Sequence, residues 1–196
     1  LESARDILLD ATEVIIGRAG VANLTLEAVA QEAGYSKGGL LYNFRSKDEL
    51  LGSMVERLVS RFQELVFRKR KEYQAEGLND PTIRALIDVY CMVAERRLSH
   101  AILTVSADRP ELLCRFRELC FEIEPLIESE ARDPMMAFIV LLALDGLHLR
   151  HALGIEGKSQ EEIGAAIAAL RALLISPSTG RVQAAQNSGY CHVETE

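Results

Sequence analysis

Residues suited to chemistry fall in two places along this chain. The first is a stretch holding Thr25, Ser36, Lys37, Gly38, Gly39, Leu41, Tyr42, Asn43 and Lys47. Its hydroxyls and ammonium groups can donate to phosphate oxygens. The paired glycines leave backbone bare for close approach to something flat and negatively charged. The second is Asp145, His148 and His151, whose i, i+3 spacing on a helix could hold a metal ion or serve a helical enzyme. It stands alone: no nucleophile motif and no phosphate loop accompanies it. Cys91, Cys114, Cys120 and Cys191 are scattered, without the paired spacing of a zinc site. Cys114 and Cys120 sit almost on opposite edges of one helix and cannot pair without distortion. A structural or pocket role is expected for the histidines, and burial as small hydrophobes for Cys114 and Cys120, with a redox-sensor role as the alternative. No metal, cofactor or catalytic group is expected.

The first stretch, Thr25 to Leu51, reads as a helix, a tight turn, a second short helix and the start of a third, the layout of a helix-turn-helix reader of DNA. Thr25 can cap the first of these helices, and Leu26, Val29, Ala30 and Ala33 give it one apolar face. Gly34 stands where a left-handed residue turns the chain sharply. Ser36 can cap the second helix, with Leu40 and Phe44 anchoring it. Lys37, Gly38, Gly39, Leu41 and Asn43 are then left facing outward. By this reading Lys37, Gly38, Gly39 and Leu41 face the major groove, while Thr25, Tyr42 and Lys47 hold phosphates. Leu41 can touch a thymine methyl.

The segment Glu32-Ala33-Gly34-Tyr35-Ser36-Lys37-Gly38-Gly39-Leu40-Leu41-Tyr42-Asn43-Phe44, followed by Arg45-Ser46-Lys47-Asp48-Glu49-Leu50-Leu51, resembles the DNA-binding head of the TetR/AcrR family of bacterial repressors. That pattern is a capped helix, Ala-Gly, a Ser-Lys-Gly turn, a Leu-Tyr-x-x-Phe recognition helix and a Ser-Lys-x-x-Leu helix start. The resemblance covers residues 5 to about 55. Leu41, Asn43 and Gly39 depart from the aromatic, histidine and threonine that are common at those places. The resemblance implies operator DNA as partner, a homodimer, a small-molecule effector and a cytoplasmic repressor.

Composition is compatible with this. The 196 residues are 48% apolar, enough for a substantial core. The net charge of −7 argues mildly against a nucleic-acid binder. Residues 1–80 carry 11 Lys/Arg against 13 Asp/Glu, and residues 81–175 carry 10 against 14, so the head is less acidic than the body without being basic. DNA affinity rests on local phosphate contacts. Lys37, Arg45 and Lys47 cluster around the recognition helix, and Asp6, Asp10 and Glu13 on the first helix are expected to face away from it. No secretory signal opens the sequence; Leu1 leads almost directly into a helix, and the missing initiator methionine suggests a trimmed chain. The longest apolar run, Met135 to Leu144, is too short to span a membrane.

The expected architecture is all-α with about nine helices: a helix-turn-helix head (1–46), a helical effector-binding and dimerisation body (47–175) and a polar tail (176–196). The first helix runs from about Ser3 to Arg18, with Ile7, Leu8, Ala11, Val14 and Ile15 as its apolar stripe. Ser46 and Glu49 form a capping-box pattern opening a long helix from Lys47 to about Ala75. Its run Arg68-Lys69-Arg70-Lys71 reads as a solvated face. Asp80-Pro81 opens a helix reaching about Leu98, and a short one follows near His100 to Ser106. Others run from Pro110 to Ala131 and from Pro134 to about Leu153. Ser159 and Glu162 make a second capping box for the last, Gln160 to about Ile175. The tail lacks helical periodicity, and its composition reads as disordered.

The helix opening at Pro134 is apolar nearly all round and must be covered on two sides. The last helix has a large apolar face and an alanine face. Met136, Ile139, Val140, Ile163, Ile167, Leu170 and Leu174 are the expected dimer contacts, with ordinary intrachain packing as the alternative. Leu144-Asp145-Gly146-Leu147-His148-Leu149 resembles a Leu-x-Asp-Gly-Leu-x-Leu stretch of the same family. The resemblance also implies an effector pocket inside the body. Its candidate lining is Phe62, Val66, Ile87, Tyr90, Cys91, Ala94, Leu103, Leu112, Phe116, Cys120, Leu144 and His148, suited to a neutral or apolar molecule. Two other functions compete: a helical protein-interaction module that has lost DNA binding, and a helical enzyme using Asp145, His148 and His151.

Overall fold

The computed structural model describes residues 3–91, 105, 109–153, 155 and 159–175, with side chains at all of these except 151, 152 and 160. The described residues form eight α-helices and two short 3-10 turns, Val21–Asn23 and Pro110–Leu113, with no strand among them. The helices are α1 (Ala4–Ala19), α2 (Leu26–Glu32), α3 (Lys37–Asn43), α4 (Lys47–Ala75), α5 (Pro81–Tyr90), α6 (Cys114–Glu130), α7 (Pro134–Ala152) and α8 (Gln160–Ile175). The expected course of α5 towards Leu98, nearly all of the short helix near 100–106, and the tail lie outside the described residues.

Each of the first four helices starts where a hydroxyl accepts an otherwise orphaned backbone N–H. Ser3 accepts from Asp6, Thr25 from Ala28, Ser36 from Gly39 and Ser46 from Glu49, all at 3.1 Å. The Glu49 carboxylate reaches back to the Arg45 N–H at 2.8 Å, one residue before the cap. At Ser159 and Glu162 the box is fully reciprocal, with bonds of 3.2 and 2.8 Å. Gly34, at φ +72°, makes the turn between α2 and α3. Asp80 does not cap α5. It is buried at φ 59°, and its Oδ1 accepts the Arg132 N–H at 2.8 Å.

Leu8, Val29, Leu40, Phe44, Leu50, Met54 and Val55 are fully buried and form the core between the head and the first turns of α4. Val14 departs from expectation, at 45% exposure. Leu9 and Ile16 are buried on α1, together with Thr12, whose hydroxyl satisfies itself on the Leu8 carbonyl at 2.8 Å.

The acidic residues of α1 face α4. Arg57 Nη2 binds Asp10 Oδ1 at 2.7 Å and pairs with the buried Glu13, and its Nη1 donates to the Asp6 carbonyl at 3.1 Å. Arg70 also departs from a solvated reading. Its guanidinium bonds Glu130 and the buried Thr82 hydroxyl, tying α4 to α5 and α6. Gln74 donates to the same Glu130 oxygen at 3.1 Å. Arg68 and Lys71 are exposed as expected.

Burial alone would raise the Glu130 pKa. The Arg70 and Thr82 hydrogen bonds outweigh it and hold the carboxyl below its ordinary 4.5. A depressed folded-state value contributes stability that is complete above 4.5 and is lost as pH falls through the lower folded value. Glu130→Gln is therefore expected to cost about 1–3 kcal/mol at neutral pH, because Arg70 loses its counter-charge. The deficit should shrink in acid. Urea denaturation of both proteins between pH 3 and 7 checks this; a deficit independent of pH would contradict it.

Candidate nucleic-acid interface

α3 is pinned on one side and bare on the other. Leu40 within it and Phe44 at its C-cap are fully buried. On the opposite side Lys37, Gly38, Leu41 and Tyr42 are exposed, Tyr42 at 90% and Leu41 at 38%. Such exposure of a tyrosine and a leucine on neighbouring positions is costly in water, and a partner surface would relieve it.

The polar side chains around this face are lightly committed. Lys37 Nζ lies 2.5 Å from Glu27 Oε1, in a pair with both side chains more than half exposed. The Lys37 hydrogen bond is the main reason that Glu27 is held below its ordinary pKa. A solvent-exposed pair of this kind is weakly held, so little opposes its exchange for another anion. Lys47 is half-buried and donates to the Val21 carbonyl at 3.0 Å; an ammonium keeps two further donors. Thr25 and Ser36 are exposed, with their oxygens occupied by capping bonds and their O–H groups able to donate. Asn43 is turned back, its Nδ2 donating to the Gly39 carbonyl at 2.9 Å. Arg45 is exposed beside the turn.

Gly38 and Gly39 lie in helical backbone that any residue adopts. A Cβ at Gly38 would find only the Ser36 hydroxyl at 3.9 Å, and one at Gly39 would meet Ser36 Oγ at 3.4 Å and the Tyr35 ring at 3.5 Å. Neither glycine is required by its backbone conformation, and Gly38 stands on the exposed side of α3 while Gly39 is half-buried.

Two side chains missed by sequence reasoning hold this head in shape. Arg5 touches the end of α3 at Asn43 and covers the Phe44 ring, and Arg18 joins α1 to Glu32 of α2 at 3.0 Å. Their partners lie far along the chain. The one local signal is that a cation in the first turn of α1 opposes the helix dipole, which marks Arg5 as placed for something else.

The second candidate constellation does not assemble. The half-buried His148 ring meets Tyr90 edge-on with centroids 4.3 Å apart. Asp145 is exposed on α7, where desolvation, then Glu124, raises its pKa. The His151 side chain lies outside the described residues, and no metal-binding group of three occurs among them. Cys91 and Cys114 are exposed, contrary to expectation, the Cys91 thiol donating to the Ile87 carbonyl at 3.2 Å and the Cys114 thiol to the Glu111 carbonyl at 3.0 Å. Burial, then Glu124 and Asp145, pushes the half-buried Cys120 thiol up to about 11.

Of the expected effector lining, Val66, Ile87 and Leu144 are buried and Phe62, Tyr90, Leu112, Phe116, Cys120 and His148 are half-buried. Cys91 is exposed, and Ala94 and Leu103 lie outside the described residues. Of the expected dimer contacts, Val140, Ile167 and Leu174 are buried in the protomer's own core. Met136, Ile163 and Leu170 are half-buried, and Ile139 is exposed.

Residues 8–54 match the model of bacterial regulatory proteins of the tetR family, and residues 80–175 match that of the tetracyclin repressor-like C-terminal domain. The chain is 31% identical over 168 residues to the HTH-type transcriptional regulator BetI 1 of Chromohalobacter salexigens, covering 76% of this chain and 79% of that one. The chain belongs to the TetR family. A second relative, the HTH-type transcriptional regulator BetI of Stenotrophomonas maltophilia, is 33% identical over 86 residues, which is 43% of this chain and less than half, 42%, of that protein. The fold is similar to that of the multidrug binding protein EbrR complexed with imidazole, with a TM-score of 0.62 at 22% identity, covering 90% of this chain and 98% of that one. As a TetR-family regulator the protein carries a DNA-binding helix-turn-helix within residues 8–54, the part of the chain that holds α2 and α3.

Gly38→Ala separates fold from function. It should stabilise the free protein by about 0.5–1 kcal/mol, since alanine is the better helix former and the space is open. It should weaken DNA binding, because the new methyl stands on the exposed side of α3, the candidate contact face. Thermal melts and mobility shifts on the same preparation check both signs. Undiminished DNA binding would mean that the glycine is not needed for close approach.

Proposed function

We propose that this TetR-family regulator is a dimeric, sequence-specific repressor of the cytoplasm, relieved by a small apolar effector. The observation that carries the reading is the uncovered face of α3: Lys37, Gly38, Leu41 and Tyr42 stand in water beside capped, rigid neighbours. Lys37, Gly38, Gly39 and Leu41 read the major groove, while Thr25, Tyr42 and Lys47 hold phosphates, with Ser36 and Asn43 at the margin.

Dimerisation is supported by an apolar face left exposed among the described residues. On α7 it comprises Met135, Phe138, Leu142 and Leu149, which recur at helical spacing, and Ile139 borders it. On α8 the outward residues include Ala165, Ala168, Ala169 and Ala172, whose small side chains let a neighbouring helix come close. A two-fold pairing of these helices buries the same face on both copies. It would remove on the order of 1,200–2,000 Å² from water.

Effector coupling is supported by a ladder between α4 and the segment leading into α6. Arg109 lies 3.4 Å from Asp48, Leu112 lies against Gly52, and Arg115 is 3.6 Å from Glu56. These rungs recur every four residues on α4 and every three on the opposing segment. They start one residue from Lys47, beside the recognition helix. A ligand among the half-buried residues of α4 to α7 that shifted this segment would move the α4 start with it. A coupling of roughly 1–3 kcal/mol suffices. The binding of imidazole by the EbrR fold relative is consistent with a body able to take small molecules.

Mobility shifts with the intergenic DNA upstream of the chain's own reading frame test the DNA reading. A retarded species that resists scrambled competitor and weakens steeply with salt is expected. Lys47→Ala should weaken all duplexes alike and flatten the salt slope by about one unit. No retardation at low salt would defeat the reading. For the dimer, Leu142→Asp places a charge on the exposed face without disturbing the core, and sedimentation should show folded monomers. A fully dimeric Leu142→Asp protein would place the interface elsewhere.

A further inference from the structure

We propose that Arg5 is a positioning residue for DNA reading: it clamps the C-terminal end of the recognition helix onto α4 and so sets the angle at which α3 meets the duplex. The proposal rests on α3 being the recognition helix.

One guanidinium makes three contacts on two elements outside its own helix. Nη1 donates to the Asn43 carbonyl, at the last residue of α3, at 3.1 Å. Nη2 donates to Ser53 Oγ on α4 at 2.7 Å. The plane lies over the Phe44 ring, with Cζ 4.3 Å from its centroid. A flat fork with fixed donors suits such a task, whereas an ammonium on a flexible stem cannot stack and fork together.

The electrostatics agree in direction. The final carbonyls of a helix lack intrahelical partners and carry partial negative charge, so a cation at Asn43 stabilises the end of α3. The same cation sits in the first turn of α1, at its positive end. Arg5 thus serves α3 at a cost to α1.

Arg5 is in turn held from behind. Arg57 donates to the Asp6 carbonyl, on the residue next to Arg5, and binds Asp10 and Glu13 further along α1. The start of α1 is therefore fixed to α4, and Arg5 spans from that fixed point to α3. Without Arg5, the buried Leu40 and Phe44 still hold α3 by its apolar side, but nothing in these contacts fixes rotation at its far end. A loosened α3 keeps its phosphate contacts and loses its alignment with base edges.

The test uses the full chain and a duplex that the parent protein enriches from a random pool, with a scrambled duplex of equal composition as reference. Arg5→Met keeps the stem and removes the fork. It should lose about ten-fold in affinity for the enriched duplex, stay within about two-fold on the scrambled one, and keep the parent's salt slope. A purely stabilising role would lower the melting midpoint but leave the ratio of the two affinities unchanged wherever the protein is fully folded, and that result overturns the proposal. Equal loss on both duplexes, with a slope lower by about one per subunit, would make Arg5 a phosphate contact and overturns it too. If Arg5→Met does not fold, Ser53→Ala decides, since alanine is at least as good a helix former. The expected fall in the same ratio is about three-fold, and an unchanged ratio counts against the clamp. In a folded double variant, Ser53→Ala should add nothing to Arg5→Met. A parent protein that enriches no duplex removes the DNA reading, and this role with it.

Discussion

A helix hydrogen-bonded from Lys47 to Ala75 is about 43 Å of stiff rod, and it belongs to head and body alike. Its first turns complete the head's core through Leu50, Met54 and Val55. Its later turns meet α5 and α6 through Arg70. Displacement of one end is therefore felt at the other, since the backbone ladder has no break to absorb it. The charged contacts arranged along it follow from that constraint. Arg57 fastens α1 to the rod, Arg109 and Arg115 fasten the segment leading into α6, and Glu130 holds Arg70.

The same arrangement explains how an acidic chain presents a face suited to DNA. The head's carboxylates are numerous, but their positions matter more than their sum. Asp6, Asp10 and Glu13 are gathered around Arg57, and Glu32 is engaged by Arg18. Glu49 spends its charge on the backbone N–H of Arg45. Glu27 stands beside the face of α3, where it is held by Lys37 in an exposed and weakly held pair. Screening over about 8–10 Å at ordinary ionic strength then leaves the local cations to decide.

What was legible in the sequence was short-ranged. Thr25, Ser36, Ser46 and Ser159 act on an N–H three residues away, so type and spacing suffice to place a helix start. Gly34 is similar, because its sign of φ is a local requirement. Long-range pairs left no comparable trace. Arg5 and Asn43 are 38 residues apart, Arg57 and Asp10 are 47 apart, and nothing in a charge's neighbourhood names its partner. On α1 the expected stripe included Val14, which is exposed, and left out Leu9 and Thr12, which are buried, Thr12 with its hydroxyl bonded to its own helix.

The phase of α7 and α8 was unreadable for a different reason. A helix apolar on all sides has no polar face to mark which side is out. The protomer's core takes volume first, so Ile163, Ile167, Leu170 and Leu174 turn wholly or partly inward and the alanines are left outside. Large side chains fill a core at low cost in area, and small ones let two backbones approach. Large apolar residues are left outside on α7, Phe138 and Leu142 among them, and on α8 Leu173 and Ile175 are exposed as well as the alanines. An outward face built in this way has both the area and the closeness that a second copy needs. It lies on helices other than α3, so the pairing and the DNA reading proposed above would draw on different elements, with α4 between them.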